Sequence, residues 1–479
     1  ARRDGFEDAT AETGPWVVTL EIPSFMPFMQ HSKRRDLRMQ MYRAYVTRAS
    51  VGEYDNTKII DETLALRNEK ARLLGFHTYA DLSLSRKMAP DVKSVEDLLD
   101  ELQQAARPGA EHDLDDLRDL ARKAGAPEAD DFKQWDSAYW SERLREQRYD
   151  IRDEELRPYF PLPGVLDGLF KLTERLFNIK VVQADGEAPV WHEDVQVFSI
   201  YEKTTGDLIG DFYLDMFPRA NKYSHAAAFS VTIGKMTSNG YQKPATALVC
   251  NFPKPSDLEP SLLSHDNVET YFHEFGHLVH GVLTKSPLMA YAGTSVARDF
   301  VEAPSQMLEN WVWQKESLNL FAQHYQTGET IPDSLLNKMV AAKNVNSGTK
   351  ALQQIFYGIL DFTLHDGYDP DKDESTTDIV KKLQNELTLY PFQKGTHFQA
   401  AFGHLNGYGA AYYGYKWSEV YAQDMFSVFE ENGVMDMQTG MKYRSVILEK
   451  GGTKEALDLV QEFLGRESNN KAFLKSMGL

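Results

Sequence analysis

The run His273-Glu274-Phe275-Gly276-His277 holds the densest chemistry in the sequence. At the frequency of histidine in this chain, a chance H-E-x-x-H match is expected about 0.03 times. On a helix turning about 100° per residue, His273 and His277 lie about 40° apart. Val268, Phe272, Phe275, Val279 and Val282 form a stripe on a different face. One face therefore buries the helix while another presents two imidazoles one turn apart, as a tetrahedral Zn²⁺ requires of two nitrogen ligands. Glu274 is placed to take a proton from a water that the metal activates. Asp266-Asn267-Val268-Glu269 reads as a capping-box variant at the start of this helix, and Gly281 as a place where it can end.

A catalytic zinc needs a third protein ligand and an open position. The metzincin pattern would put glycine at 280 and histidine at 283, but the chain has His280 and Leu283. His280 shares the face of the other two, yet three ligands from one straight helix would spread over about 10 Å. It reads as a histidine that packs or supports a ligand. The first acids after the motif are Asp299 and Glu302, in Arg298-Asp299-Phe300-Val301-Glu302-Ala303-Pro304-Ser305-Gln306. If this run is helical, one of them can bind metal while the other accepts the second ring N–H of a ligating histidine. Zinc takes either carboxylate, and Glu302 is preferred. Pro304 fits only in a first helical turn or at a kink.

A second cluster, His404-Leu405-Asn406-Gly407-Tyr408-Gly409-Ala410-Ala411-Tyr412-Tyr413-Gly414-Tyr415, sets His404, Tyr408, Tyr412 and Tyr415 at helical spacing. Aromatic packing is the default reading of such a stripe. Phenol and imidazole donors of this kind would also steady a tetrahedral oxyanion. Tyr291-Ala292-Gly293-Thr294-Ser295 is either a substrate-contacting loop, with Gly293 and Thr294 at its centre, or a plain connection. Thr246–Asn251 reads as a sheet strand, with an edge strand that could pair with a peptide as the sharper alternative. No G-x-S-x-G elbow and no P-loop occur.

Helical periodicity covers residues 33–50, 57–75 and 132–148, and a leucine-spaced stretch over 95–125 predicts one helix broken near Pro108-Gly109, or two. Strand character is confined to about 179–251, where Val195–Tyr201 and Leu208–Leu214 form a hairpin-like pair. From about residue 264 the pattern is helical almost to the end, with turn signals near Ser286-Pro287, Ile331-Pro332, Tyr368-Asp369-Pro370 and Gly451-Gly452. The expectation is a mainly α fold with one small mixed or antiparallel sheet. Of 479 residues, 52 are Lys or Arg and 71 Asp or Glu, a net charge of −19. That balance disfavours nucleic-acid and anionic-membrane partners. No stretch of about 18 apolar residues reads as a membrane span. The single cysteine, Cys250, excludes an intramolecular disulfide and fits a reducing compartment, so a cytoplasmic or organellar location is expected. The opening Ala1-Arg2-Arg3-Asp4 reads as a processed or trimmed start.

Taken together, HEFGH, then Gly293-Thr294 and Asp299–Gln306, then Phe402-Gly403-His404-Leu405 with YYGYKWSEVY, resemble the thimet oligopeptidase/neurolysin family of zinc metallopeptidases. The resemblance runs over nearly the whole chain, including Leu73-Leu74-Gly75-Phe76-His77 and Phe160-Pro161-Leu162. It implies a two-lobed helical fold with a deep substrate channel, one Zn²⁺ per chain, and cleavage of short peptides. Carried over by position, it implies His273, His277 and Glu302 as zinc ligands and Glu274 as general base. It also implies His404, Tyr408, Tyr412 and Tyr415 as substrate and transition-state contacts. Residues 1–160 would belong to the channel-forming lobe and 161–479 to the catalytic region. The family's helical segment upstream of residue 1, here or on another chain, would complete the channel wall. Two departures stand out: that segment is not in the sequence, and His404 to Tyr408 is one residue shorter than in thimet-type members, a spacing closer to the mitochondrial intermediate peptidase branch. Rival expectations are a dipeptidyl carboxypeptidase, with Arg444 or a late tyrosine holding the substrate carboxylate, and a peptide-binding protein with structural zinc.

Overall fold

A computed structural model of the chain describes residues 13–184, 186, 188–257, 259–369, 372 and 374–477. The opening Ala1-Arg2-Arg3-Asp4 and Pro370 of the third turn signal lie outside the described residues. The described chain is mainly helical. Elements that bear on the site are α1 (Thr57–Leu73), α2 (Tyr79–Leu84), α3 (Val92–Lys123), α4 (Leu162–Phe177), α5 (His265–Val282), α6 (Ala303–Glu309), α7 (Ser347–His365) and α8 (Gly414–Asn432). Among the described residues no helix is long and apolar enough to cross a membrane.

The break expected at Pro108-Gly109 does not occur: α3 runs unbroken for 32 residues. Its stripe Leu99, Leu102, Ala106, Ala110, Leu114 and Leu117 is buried on both sides of the proline. At the crossing with α7, a Cβ on Gly348 would stand 2.3 Å from the Ala110 nitrogen. Tertiary burial along both flanks outweighs the single hydrogen bond that Pro108 removes.

The strands are β1 (Ile179–Gln183), β2 (Gln196–Glu202), β3 (Leu208–Asp215), β4 (Ala227–Thr232), β5 (Lys235–Thr237), β6 (Gly240–Gln242) and β7 (Ala245–Val249). Five of them form one sheet in the order β1-β2-β3-β7-β4, while β5 and β6 pair separately. The sheet is mixed, because β7 runs parallel to β3 and all other pairings are antiparallel. The predicted 195–214 hairpin is β2–β3, with Phe198 opposite Phe212. The segment Thr246–Asn251 is corrected here in its sharper reading: β7 is interior, and the edge beside it is β4.

Period-two alternation separates the faces of the sheet. Phe198, Phe212 and Leu248 point into the main core with α4 and α5, while Val197, Tyr213 and Ala247 form a small cluster on the other side. Phe275 of α5 meets Phe212 edge-on at 5.9 Å, and Phe170 of α4 meets Phe198 at 5.2 Å. All five residues of the predicted α5 stripe are buried. Each phenylalanine so buried stabilises the helix-on-sheet packing by about 1.5–3 kcal/mol. The main core draws residues from Leu114 to Phe463, on both sides of residue 160.

The start of α5 differs from the capping-box reading. Ser264 is the N-cap, accepting from the Asn267 backbone, and Asn267 returns a bond to the Ser264 backbone. The helix passes Gly281 and ends at Val282.

Candidate metal centre

Successive turns of α5 carry His273 and His277, both half-buried, their rings 4.9 Å apart and nearly perpendicular. The partner carboxylate reaches them through a close helix contact made possible by Gly276. A Cβ there would lie 2.5 Å from the Ser305 Cα and 2.8 Å from the Pro304 oxygen. The missing side chain lets α6 lie against α5. Residues 298–302 form turns rather than the helix supposed from sequence, and α6 begins at Ala303 with Pro304 in its first turn. Glu302 is the N-cap, only 2% exposed. Its Oε2 stands 3.3 Å from His273 Nε2 and 3.0 Å from His277 Nε2. Among the described residues, His273, His277 and Glu302 are the one set of three or more whose ligand atoms gather tightly enough to hold a metal ion.

The surroundings fix these three groups. His273 Nδ1 lies 2.6 Å from Glu309 Oε1, so the ring is oriented with Nε2 toward Glu302. Tyr408 donates to Glu302 Oε1 at 2.6 Å, and Ser305 Oγ donates to the Glu302 carbonyl at 2.8 Å. Burial alone would raise the Glu302 carboxyl, but the neighbouring histidines outweigh it and hold it well below the usual carboxylate range. Burial pushes Glu309 up to about 7 against the pull of His273.

Glu274 is 7% exposed, and its Oε2 has no hydrogen-bond partner among the described residues. Burial raises its carboxyl above the usual range, opposed by His273 and His277. A buried acid with a free oxygen beside two imidazoles and a carboxylate is an arrangement suited to accept and return a proton. Two nitrogens and one carboxylate oxygen are also a donor set that zinc accepts, leaving a coordination position open.

The other candidate residues fall in several places. His280 is fully buried away from the set, neither ring nitrogen has a partner among the described residues, and burial, reinforced by His277, pulls it down to about 3; it packs as a neutral ring. Among the described residues Asp299 accepts no histidine N–H. Its oxygens accept from the Met88 and Ala89 nitrogens at 2.9 Å and from Tyr413 Oη at 2.8 Å. The expected role belongs to Glu309, which the sequence reading missed; the signal was its position seven residues after Glu302, two turns along the same face.

The His404–Tyr415 stripe is not one helix, since a single turn at His404–Gly407 gives way to turns before α8. Tyr408 stacks on Tyr415, whose hydroxyl lies 3.4 Å from His404 Nε2. Burial, with His225 adding to it, keeps His404 below its ordinary value, hence neutral. Tyr412 donates to Gln354 at 3.0 Å and lies in an apolar cluster with Phe356 and Phe402, so it faces packing more than the metal set. Gly293 has φ +55° and is buried, with a Cβ position 2.8 Å from the Gly281 Cα. Gly293 is thus packed on the end of α5, while Thr294 is half-buried beside it. Arg444 is corrected: it is buried, pairs with Glu202 and Glu449, and is not free to hold a substrate carboxylate.

Residues 28–479 match the model of peptidase family M3. The chain is 42% identical to the organellar oligopeptidase A (chloroplastic/mitochondrial) of Arabidopsis thaliana, over 99% of this chain and 61% of that protein. It is 40% identical to oligopeptidase A of Escherichia coli strain K12, over 97% of this chain and 69% of that one. The chain therefore spans between three-fifths and seven-tenths of these relatives. In fold it is similar to the solved structure of PZ peptidase A with an inhibitor, at TM-score 0.63 and 15% identity, covering 95% of this chain and 69% of that one.

Proposed function

The chain belongs to peptidase family M3, and from that premise we propose that it is a zinc-dependent oligopeptidase that hydrolyses internal bonds of short peptides. The observation that carries this reading is the meeting of Glu302 Oε2 with both Nε2 atoms beside a Glu274 oxygen that has no partner among the described residues. His273, His277 and Glu302 would hold the metal. When bound, zinc supplies Lewis-acid activation of water and of a peptide carbonyl. Glu274 takes the proton of the attacking water and passes it to the leaving amine. Its raised carboxyl suits both halves of that transfer. Glu309 holds the His273 ring in place, and Tyr408 does the same for Glu302. His404 and Tyr415 supply neutral donors near the position where charge develops on the substrate oxygen.

Strand β4 supports an extended substrate. It is an outer strand of the sheet, exposes Phe229 at 45% and Val231 at 52%, and sets the Ala228 backbone beside Glu274. An extended peptide can add to such an edge through main-chain bonds. The names of the relatives, which are oligopeptidases, agree with short peptides as substrates. With Arg444 enclosed, the dipeptidyl carboxypeptidase alternative loses its named cation.

The test is incubation with a panel of short peptides, free and amidated at the C-terminus, with and without chelator, followed by mass spectrometry. Internal cleavage of amidated peptides that chelator stops is the expected result. Glu274→Gln should lower turnover by roughly 10²–10⁴-fold while metal analysis still finds one zinc per chain. Near-full activity in that variant would overturn the mechanism.

A further inference from the structure

Four cationic side chains, Arg67, Arg86, Lys87 and Arg298, converge on a recess of about 230 Å³ whose remaining wall includes Gly407 and Gly409. We propose that this recess is an oxyanion site, built to take a carboxylate or phosphate group on the far side of the segment that carries Tyr408.

The charge pattern runs against the composition. In a chain of net charge −19, none of these four cations makes an ion pair among the described residues. Arg86 makes no hydrogen bond there either, and Arg298 lies over the Tyr408 ring at 4.1 Å. Arg67 donates to the Leu405 oxygen at 2.6 Å and to the Asn406 oxygen at 3.1 Å. Lys87 donates to Ser83 and, at 2.9 Å, to the Ala410 oxygen. These bonds hold the cations in place without neutralising them. Burial, with the repulsion of Arg298, pulls the Lys87 ammonium down to about 8 despite Asp299 and Asp361 nearby.

Those two acids are already engaged. Asp299 is occupied by the bonds to Met88, Ala89 and Tyr413, and Asp361 accepts from the backbone of Ala410, Ala411 and Tyr412 at 2.8–3.0 Å. They fasten the two walls of the recess and leave its interior to the cations. The glycines keep it open: a Cβ on Gly409 would meet Arg67 Nη1 at 2.7 Å, and nothing lies within 4 Å of one on Gly407. At about 30 Å³ per water the volume suits a small polyatomic anion rather than a drug-sized ligand. Guanidinium groups match the paired oxygens of carboxylate and phosphate. The anion could be the terminal carboxylate of a peptide or a free phosphate. Either would tighten the 406–411 segment, and so the Tyr408 contact to Glu302.

The site does not depend on hydrolysis and is read by direct binding. Inorganic phosphate is titrated calorimetrically at low ionic strength into the zinc-loaded full chain, the Arg86→Gln variant and the Lys87→Gln variant. One saturable site, weakened at least tenfold in both variants, is expected; Arg86 is exposed and unbonded, so its variant should melt as the parent does. A peptide and its C-terminal amide are then titrated into the Glu274→Gln protein, with and without phosphate. Displacement of phosphate by the free acid alone assigns the site to a substrate terminus, and phosphate binding that neither peptide displaces assigns it to a free anion. Absence of saturable binding by both phosphate and the free-acid peptide, or binding unchanged in both variants, overturns the proposal.

Discussion

Glu309 would govern the proposed metal centre through one hydrogen bond. Its oxygen, 2.6 Å from His273 Nδ1, selects the tautomer that turns Nε2 toward Glu302 and makes the ring a better electron donor. Glu309→Gln keeps the shape and removes the charge. Zinc affinity is expected to fall roughly 10–100-fold, as chelator competition would read, with unchanged helical circular dichroism. Equal affinity in the variant would mean that the ring is held by packing alone. His280 makes the complementary point. In the last turn of the same helix, it has the chemistry of a ligand but not the position, and its burial keeps it neutral.

At the scale of elements, the contact between α5 and α6 decides whether the site exists. Gly276 is inside the motif for a steric reason, since the backbone of Pro304 and Ser305 occupies the space a side chain would need. Backbone cannot give way as a flexible side chain can. Gly276→Ala is therefore expected to cost about 1–3 kcal/mol in urea unfolding and to weaken zinc binding by displacing Glu302. Gly281→Ala is the control on the same helix: its Cβ would meet only the Thr246 Oγ1, at 2.9 Å, so it should retain zinc affinity. If Gly276→Ala bound zinc as the parent does, the close approach would not be what positions the carboxylate. The Pro108 region of α3 follows the same principle in reverse, because contact with α7 along both flanks preserves a helix that local propensity would break.

For the molecule as a whole, metal and fold are expected to be separable. The α5 stripe, the sheet and α4 share a core that contains none of the three proposed ligands. Glu302 is also held without metal by Tyr408 and Ser305. Chelation should therefore abolish peptide turnover yet leave the helical circular dichroism intact. Restoring free zinc at 100 times its Kd should add about 2.7 kcal/mol of stability, visible as a raised melting temperature. Collapse of secondary structure on chelation would show instead that the metal is part of the fold.

The sequence by itself determined the chemistry that is local along the chain. The two imidazoles and Glu274 lie within five residues, and the buried stripe of α5 repeats at helical spacing, so type and period sufficed. The β2–β3 hairpin was legible for the same reason, with its alternation and its turn contiguous. Residue types alone left Asp299 and Glu302 as alternatives, and family resemblance pointed to Glu302. Tertiary structure decided what depends on long-range approach: Glu302 reaching the histidines across a glycine, Glu309 displacing Asp299 as the histidine's acceptor, and β4 rather than β7 at the sheet edge. It also gathered Arg67, Lys87 and Arg298 from separate segments into one recess. None of these has a period or a motif, because each follows from which surfaces the core brings together.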